Sequence, residues 1–145
     1  MVETEHVEIP HLKAKFFISQ ERIAQAGRSL QLLLLQRRCS TCWGTLVQDS
    51  GGAWKIPVKE HLKQIAKQCS KMPEFIHPDM PLAEAVFRVL LSNGTKPMVM
   101  EKIYAALEDR WVDPINPRIP TSDGVYRMLG TDTFYGIAEE TPKGL

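Results

Sequence analysis

Cys39 and Cys42, separated by two residues, are the side chains in this sequence whose types and spacing best suit chemistry. They lie in the stretch LQRRCSTCWGTL, after a run of four leucines. A CxxC pair can supply two of the four ligands of a structural zinc site. The same spacing occurs in thiol redox sites, and cysteines also pack as plain core residues. The pair therefore admits three interpretations: zinc, redox chemistry and packing.

The remaining zinc ligands are predicted in the segment that follows. His61 and Cys69 complete the pattern C-x2-C-x18-H-x7-C, and His77 is an alternative fourth ligand. On a regular helix, eight positions separate His61 from Cys69 by about 80° around the axis and roughly 12 Å along it. We expect both to reach one zinc ion only if the helix loosens after residue 67. The alternatives are a core position for Cys69, which falls on an apolar stripe, and a surface or helix-cap position for His61.

Catalytic patterns are not found in the sequence. It contains no Gly-rich phosphate loop, no HExxH and no nucleophile-elbow serine. A redox CxxC usually begins a helix, where the dipole favours the thiolate, whereas this pair follows a predicted helix end. We therefore expect a protein that is not an enzyme, with a thiol-dependent enzyme as the least favoured alternative.

Composition and charge place the chain in a broad class. It has 145 residues, of which 43% are hydrophobic and 24% charged, as in globular proteins. No apolar run approaches the ~18 residues of a membrane span, and the start lacks a signal-peptide pattern, so a cytoplasmic protein without a membrane partner is expected. Residues 1–78 carry 11 Lys and Arg against 7 Asp and Glu, whereas residues 79–145 carry 7 against 10. A surface for polyanions is therefore expected in the first part.

The first predicted unit, residues 1–72, positions the CxxC motif. Alternating apolar residues from Leu12 to Ile18 predict a strand, and Ser19 caps a long helix that continues to the two arginines before Cys39. A tryptophan hairpin and a helix opened by Pro57 follow. The long helix is apolar on most sides near its end, so the helix containing Leu30 to Leu35 is either a core helix or the contact of a homodimer.

The second predicted unit follows a proline-rich linker at residues 73–79. Residues 80–138 contain three predicted helices and a closing strand, and residues 139–145 form a polar tail. The first helix is capped by Asp79 and ends at Asn93-Gly94, and the third is capped by Thr121 or Ser122. Three short helices in this order make a helix-turn-helix skeleton. The fold class expected for the whole chain is therefore α+β.

Two stretches of the second unit resemble a known family. PLAEAVFRVLLSNGTKPMVMEKIYAAL and PTSDGVYRMLGTDTFYGI are similar to the HARE-type helix-turn-helix domain, found in the delta subunit of bacterial RNA polymerase and in some chromatin- and restriction-associated proteins. The matching elements are the turn from Gly94 to Met98, together with Glu101, Ile103, Tyr126, Asp132 and Phe134. The resemblance implies a winged-helix-like fold and a transcription-associated module that binds DNA or RNA polymerase.

Few cations are available for such binding in the second unit. The candidates for nucleic-acid contact are Lys96, Lys102, Arg118 and Arg127. The acidic balance of this part disfavours DNA, so a protein-docking platform remains an open alternative. In the first unit, Trp43 and Trp54 could stack on bases beside Lys55 and Lys59, or pack in the core.

Overall fold

The computed structural model describes residues 10–39, 57–77, 79–94, 96–110 and 120–140. In these ranges the chain forms six α-helices and one three-stranded antiparallel sheet, which confirms the α+β class. The strands are β1 (Lys15–Ile18), β2 (Met98–Val99) and β3 (Ile137–Glu139); the helices are α1 (Gln20–Gln25), α2 (Leu30–Gln36), α3 (Val58–Lys67), α4 (Leu82–Ser92), α5 (Met100–Arg110) and α6 (Ser122–Gly130). Short 3-10 turns occupy Pro10–Lys13, Cys69–Lys71 and Pro73–Phe75. The predicted tryptophan hairpin lies outside the described residues.

The sheet is built around β1, which pairs with β2 on one edge and with β3 on the other. Phe16 and Ile18 point into the core and are 2% and 8% exposed, while Phe17 between them is half-buried. This alternation is the one predicted from the sequence. The strand is shorter than predicted, however, because Leu12 lies in the preceding 3-10 turn.

The single long helix predicted after Ser19 is wrong, because the structure has two helices there. Ser19 does cap the first, and its hydroxyl accepts the backbone N–H of Arg22 at 3.2 Å. Gly27 then adopts a φ of +77°, which ends α1, and the Ser29 hydroxyl accepts the N–H of Leu32 to start α2. A left-handed glycine followed by a serine cap is sufficient to divide the helix.

The leucine-rich helix α2 is a core element. Leu30, Leu33, Leu34 and Leu35 are buried within the chain, and Leu32 is 39% exposed. The sequence left open whether this helix is a core helix or a dimer contact. Burial by the chain's own residues is sufficient to explain its apolar character.

The segment after α3 is packed rather than extended away from the protein. Helix α3 ends at Lys67, and Cys69 begins a 3-10 turn. In the proline-rich segment that follows, Phe75 and Ile76 are buried at 3% and 2% exposure. Both belong to the same hydrophobic cluster as residues of α2, α3, α4 and α5. The segment predicted as a linker therefore contributes two core side chains.

The three helices of the second predicted unit contact one another. β2 lies between α4 and α5, and β3 follows α6, so the order is helix, strand, helix, helix, strand. Thr121 caps α6 as predicted, accepting the N–H of Gly124 at 3.1 Å. Asn93 ends α4, followed by Gly94 at a φ of +70°. The predicted Asp79 cap of α4 is wrong, because the N-cap residue is Pro81.

The last strand begins later than the stretch TFYGI predicted. The Asp132 carboxylate accepts the backbone N–H groups of Phe134 and Tyr135 through Oδ1 and that of Ile137 through Oδ2. These bonds hold residues 133–136 in a turn, and β3 starts only at Ile137. None of the helices in the described ranges combines the length and apolar character that crossing a bilayer requires.

Replacing Gly136 by alanine is expected to destabilise the protein strongly. Its φ is +72°, and a Cβ atom there would lie 2.5 Å from Cγ1 of Ile23 and 2.8 Å from the carbonyl oxygen of Ser19. Strain and overpacking together should lower the free energy of unfolding by roughly 2 to 5 kcal/mol in urea denaturation. The control is Gly27→Ala, with a φ of +77° but no atom within 4 Å of the added methyl group. It should cost only about 1 to 2 kcal/mol, and equal losses would contradict the close packing described for Gly136.

Candidate functional site

The structure brings two of the predicted zinc ligands together. Cys39 follows α2, and its backbone N–H donates to Sγ of Cys69 at 3.2 Å. Cys69 is fully buried, and Cys39 is half-buried. The helix does end at Lys67, the loosening that the spacing required for a shared site with His61. Cys42 lies outside the described residues, so the four-ligand set is not seen as a whole.

His61 is buried on the inner face of α3, where it contacts Arg38. Its Nδ1 lies 2.6 Å from Nη1 of Arg38, and because guanidinium groups only donate, Nδ1 is the acceptor. The permanent charge of Arg38 disfavours a metal dication at that nitrogen. His61 is 0% exposed, so the predicted surface or cap position for this residue is wrong. Over the ranges described, no group of three His, Cys, Asp or Glu side chains is arranged to hold a metal ion.

A buried carboxylate lies close to this region. Glu84 of α4 is 8% exposed and accepts two bonds from Arg37, Nε to Oε2 at 2.8 Å and Nη2 to Oε1 at 2.7 Å. Arg88, one turn further along α4, donates its Nε to Oε2 at 2.7 Å. Arg37 and Arg88 also bond the carbonyl oxygens of Leu33 and Phe75. One carboxylate thus joins α2, α4 and the proline-rich segment.

The ionisation of Glu84 and Tyr135 reflects this cluster. Burial by itself would raise the pKa of Glu84, but the hydrogen bonds and charge of the arginines outweigh it and lower that pKa below its ordinary value of 4.5. Burial, followed by the hydrogen bond and negative charge of Glu84, raises the pKa of Tyr135 to about 12. The cluster is therefore an ionised carboxylate beside a neutral phenol at neutral pH.

A cavity of about 270 Å³ connects the cysteines with the arginines. Arg37, Arg38 and Arg88 all line it, together with Cys39, Cys69, Met72, Glu74, Phe75 and Gln36. The i,i+4 spacing of Glu84 and Arg88 is visible in the sequence. The approach of Arg37, 47 residues from Glu84, has no local sequence signal, and in the sequence the two arginines served only to mark the end of the predicted long helix.

The predicted nucleic-acid contacts are divided between several elements. Lys96 is exposed after α4, Lys102 is exposed in the first turn of α5, and Arg127 is exposed in the last turn of α6. Arg127 pairs with Asp123 one turn earlier, which neutralises part of its charge. Arg118 lies outside the described residues, as do Trp43, Trp54 and Lys55.

A second basic surface was not recognised from the sequence. Lys59, Lys63 and Lys67 recur every four residues along the outer side of α3, Lys71 follows in the 3-10 turn, and all four are exposed. We call them the lysine stripe. Within the described ranges no ion pair involves any of them. Lys59 and Lys63 also line a groove of about 530 Å³ with Gly94, two residues before Lys96. In the sequence, the four-residue spacing of these lysines was the signal that could have predicted the stripe.

Replacing Glu84 by glutamine is expected to lower the free energy of unfolding by about 3–5 kcal/mol at neutral pH, because it leaves the buried guanidinium of Arg37 without a counterion. The folded pKa of Glu84 is lowered, so its stabilisation is present well above pH 4.5 and is lost as the pH falls through the folded value. The difference between wild type and E84Q in urea denaturation should therefore shrink under acid conditions. The control, Asp123→Asn, removes an exposed ion pair and should cost less than about 1 kcal/mol. A similar loss for both variants would show that burial does not strengthen the ion pairs of Glu84.

The zinc prediction is tested by elemental analysis of the purified protein. If Cys39, Cys42, Cys69 and His61 bind the metal, about one zinc per chain is expected, and Cys42→Ser should abolish it. Removal of zinc by a chelator should then also lower the melting temperature. His77→Gln is the matched variant, because it leaves zinc unchanged unless His77 is the fourth ligand. A well-folded protein without zinc would exclude a structural zinc site.

Comparison with protein-family models, with curated proteins and with solved structures gave no match for this chain.

Proposed function

We propose that the chain is a non-enzymatic, transcription-associated module that binds duplex DNA. The observation that carries this proposal is the lysine stripe on α3, where exposed ammonium groups have no acidic partner among the described residues. Successive lysines rise about 6 Å along the helix, while each DNA strand carries a charge every ~3.4 Å, so neighbouring lysines can contact different phosphates. Sequence-independent phosphate contacts are the main source of affinity for duplex DNA.

The arrangement of the second unit supports the same proposal. α4, α5 and α6 contact one another, and the strands after α4 and after α6 join one sheet. This connectivity agrees with the winged-helix-like unit implied by the resemblance to HARE-type domains. In that unit α6 is the helix that would approach the DNA. Gly94, two residues before Lys96, lines the same groove as Lys59 and Lys63, so cations of α3 and of the turn after α4 contribute to the proposed interface.

The contribution of α6 to sequence reading is expected to be small. Its exposed cation is Arg127, and the Asp123 carboxylate holds that guanidinium on the helix surface. Contact with a base edge would require Arg127 to leave this carboxylate. We therefore propose binding with little sequence preference, in which the lysine stripe supplies most of the affinity and α6 a minor share.

The proposal is tested by titrating fluorescent duplex DNA at several salt concentrations. Wild-type protein should bind, with an affinity that falls steeply as salt increases. The triple variant Lys59→Gln, Lys63→Gln and Lys67→Gln should reduce the slope of log K against log salt by about one per lysine. The charge-preserving triple variant to arginine is the matched control and should keep the wild-type slope. Arg127→Gln should have a much smaller effect.

Two outcomes would replace this proposal. If wild type shows no salt-dependent binding to duplex DNA but co-purifies with RNA polymerase, the module acts by protein contact. If neither partner binds and sedimentation shows a dimer at micromolar concentration, the alternative of a dimerising interaction protein applies. Leu32 and Phe134 are the large apolar side chains exposed in the described ranges, and they would be tested first in that case.

A further inference from the structure

Arg38 is a buried cation without a carboxylate partner among the described residues. Its side chain is 5% exposed, and its contacts are Nδ1 of His61 and Oε1 of Gln64, both of which are uncharged acceptors. In the described part of the chain no ion pair involves it, and its Nε atom is buried without a hydrogen-bond acceptor. The nearest linked carboxylate, Glu60, is reached only through the side chain of Gln64.

Such a group is unfavourable unless something balances its charge. Arginine keeps its proton at any accessible pH, so burial cannot neutralise it. An isolated buried ion is strongly unfavourable even after the surrounding groups relax. The adjacent arginines are differently placed, since Arg37 and Arg88 share the carboxylate of Glu84. Two of the three guanidinium groups therefore share one buried carboxylate, and the third, that of Arg38, has none among the described residues.

The cavity next to Arg38 has the size and lining for the missing charge. Its volume of about 270 Å³ lies just below the ~300–1,000 Å³ of pockets for drug-sized ligands, so it suits a smaller molecule. Arg37, Arg38 and Arg88 line it, against one lining carboxylate, that of the exposed Glu74. Arg88 uses Nε and Nη1 within the protein, and no described acceptor engages its Nη2.

We propose that this cavity is a binding site for a small oxyanion, namely a phosphate group, either free or carried by a small phosphorylated molecule. Planar guanidinium groups present paired N–H donors that match the oxygen atoms of phosphate. The uncommitted Nη2 of Arg88 is the donor assigned to the ligand, and the guanidinium of Arg38 supplies the unbalanced positive charge beside it. The anion balances the charge of Arg38, and the phosphate site does not depend on DNA binding by the lysine stripe, none of whose residues lines the cavity.

The test uses the whole chain and inorganic phosphate in isothermal titration calorimetry and thermal unfolding. Wild type should bind phosphate saturably, with one site, and its melting temperature should rise with phosphate concentration. Arg38→Met keeps most of the apolar stem but removes the charge, so phosphate should no longer shift its melting temperature. Arg22→Met, which removes an exposed arginine outside the cavity, should retain the full shift.

A second variant covers the case in which Arg38→Met does not fold. Arg38→Lys retains the charge without the planar fork and should weaken phosphate binding at least tenfold. Glycerol 3-phosphate distinguishes the two sources of the group: tighter binding than phosphate indicates a phosphorylated small molecule, and weaker binding indicates free phosphate. Absence of binding by wild type to both at millimolar concentration would overturn the proposal. An equal response of wild type and Arg38→Met would also overturn it.

Discussion

Pairing of β1 along both of its edges connects parts of the chain that are more than eighty residues apart. Lys15 is opposite Val99 on one side, and Ile18 is opposite Ile137 on the other. Backbone bonds extend both ladders beyond the strands: the N–H of Met100 donates to Ala14 and the N–H of Ser19 donates to Gly136. The side chains of β1 that face inward lie in the core beneath this sheet. Since the central strand is supplied by the N-terminal part, the helices after residue 80 depend on it to complete their sheet.

Charge distribution follows from how the helices pack on this core. Glu84 pairs with both Arg37 and Arg88 between α2 and α4, whereas the described partners of Arg38 are uncharged. Helix α3 separates two kinds of surface: His61 and Ile65 point inward, and the lysine stripe points outward. The cavity lined by three arginines and the exposed row of ammonium groups are therefore separate surfaces, since no lysine of the stripe lines the cavity. The first is suited to a small anion and the second to an extended one.

Local signals in the sequence predicted several elements correctly. Ser19 and Thr121 have side chains that accept backbone N–H groups at helix starts, and Asn93-Gly94 can end a helix through a left-handed glycine. Such signals act over three or four residues and need no tertiary information. The same reasoning missed the break at Gly27, because the apolar period continues across it and a glycine within a helical pattern is tolerated at modest cost. The separate cap at Ser29 was the overlooked sign.

The sequence was also limited in what it could predict about the candidate sites. Spacing in the sequence singled out Cys39, Cys69 and His61, and the structure brings Cys39 to Cys69 and buries His61 against Arg38. The sequence could not reveal that the guanidinium group of Arg38 lies beside His61, because the two residues are 23 positions apart and meet only through the packing of α2 on α3. The lysine stripe was visible as a four-residue period but was not recognised, because Lys59 was considered only with Lys55 as a neighbour of the tryptophans.

By itself the sequence determined the α+β class, the ends of several helices and the excess of positive charge in the first half, because composition, caps and periodicity are local properties. Only the tertiary structure decided that β1 lies between β2 and β3, that Glu84 serves two arginines and that Arg38 is buried at a cavity with uncharged partners. These features depend on which distant residues the core brings together. Burial removes water from those side chains and so strengthens the electrostatic interactions of their charges. Burial is a property of the folded chain alone.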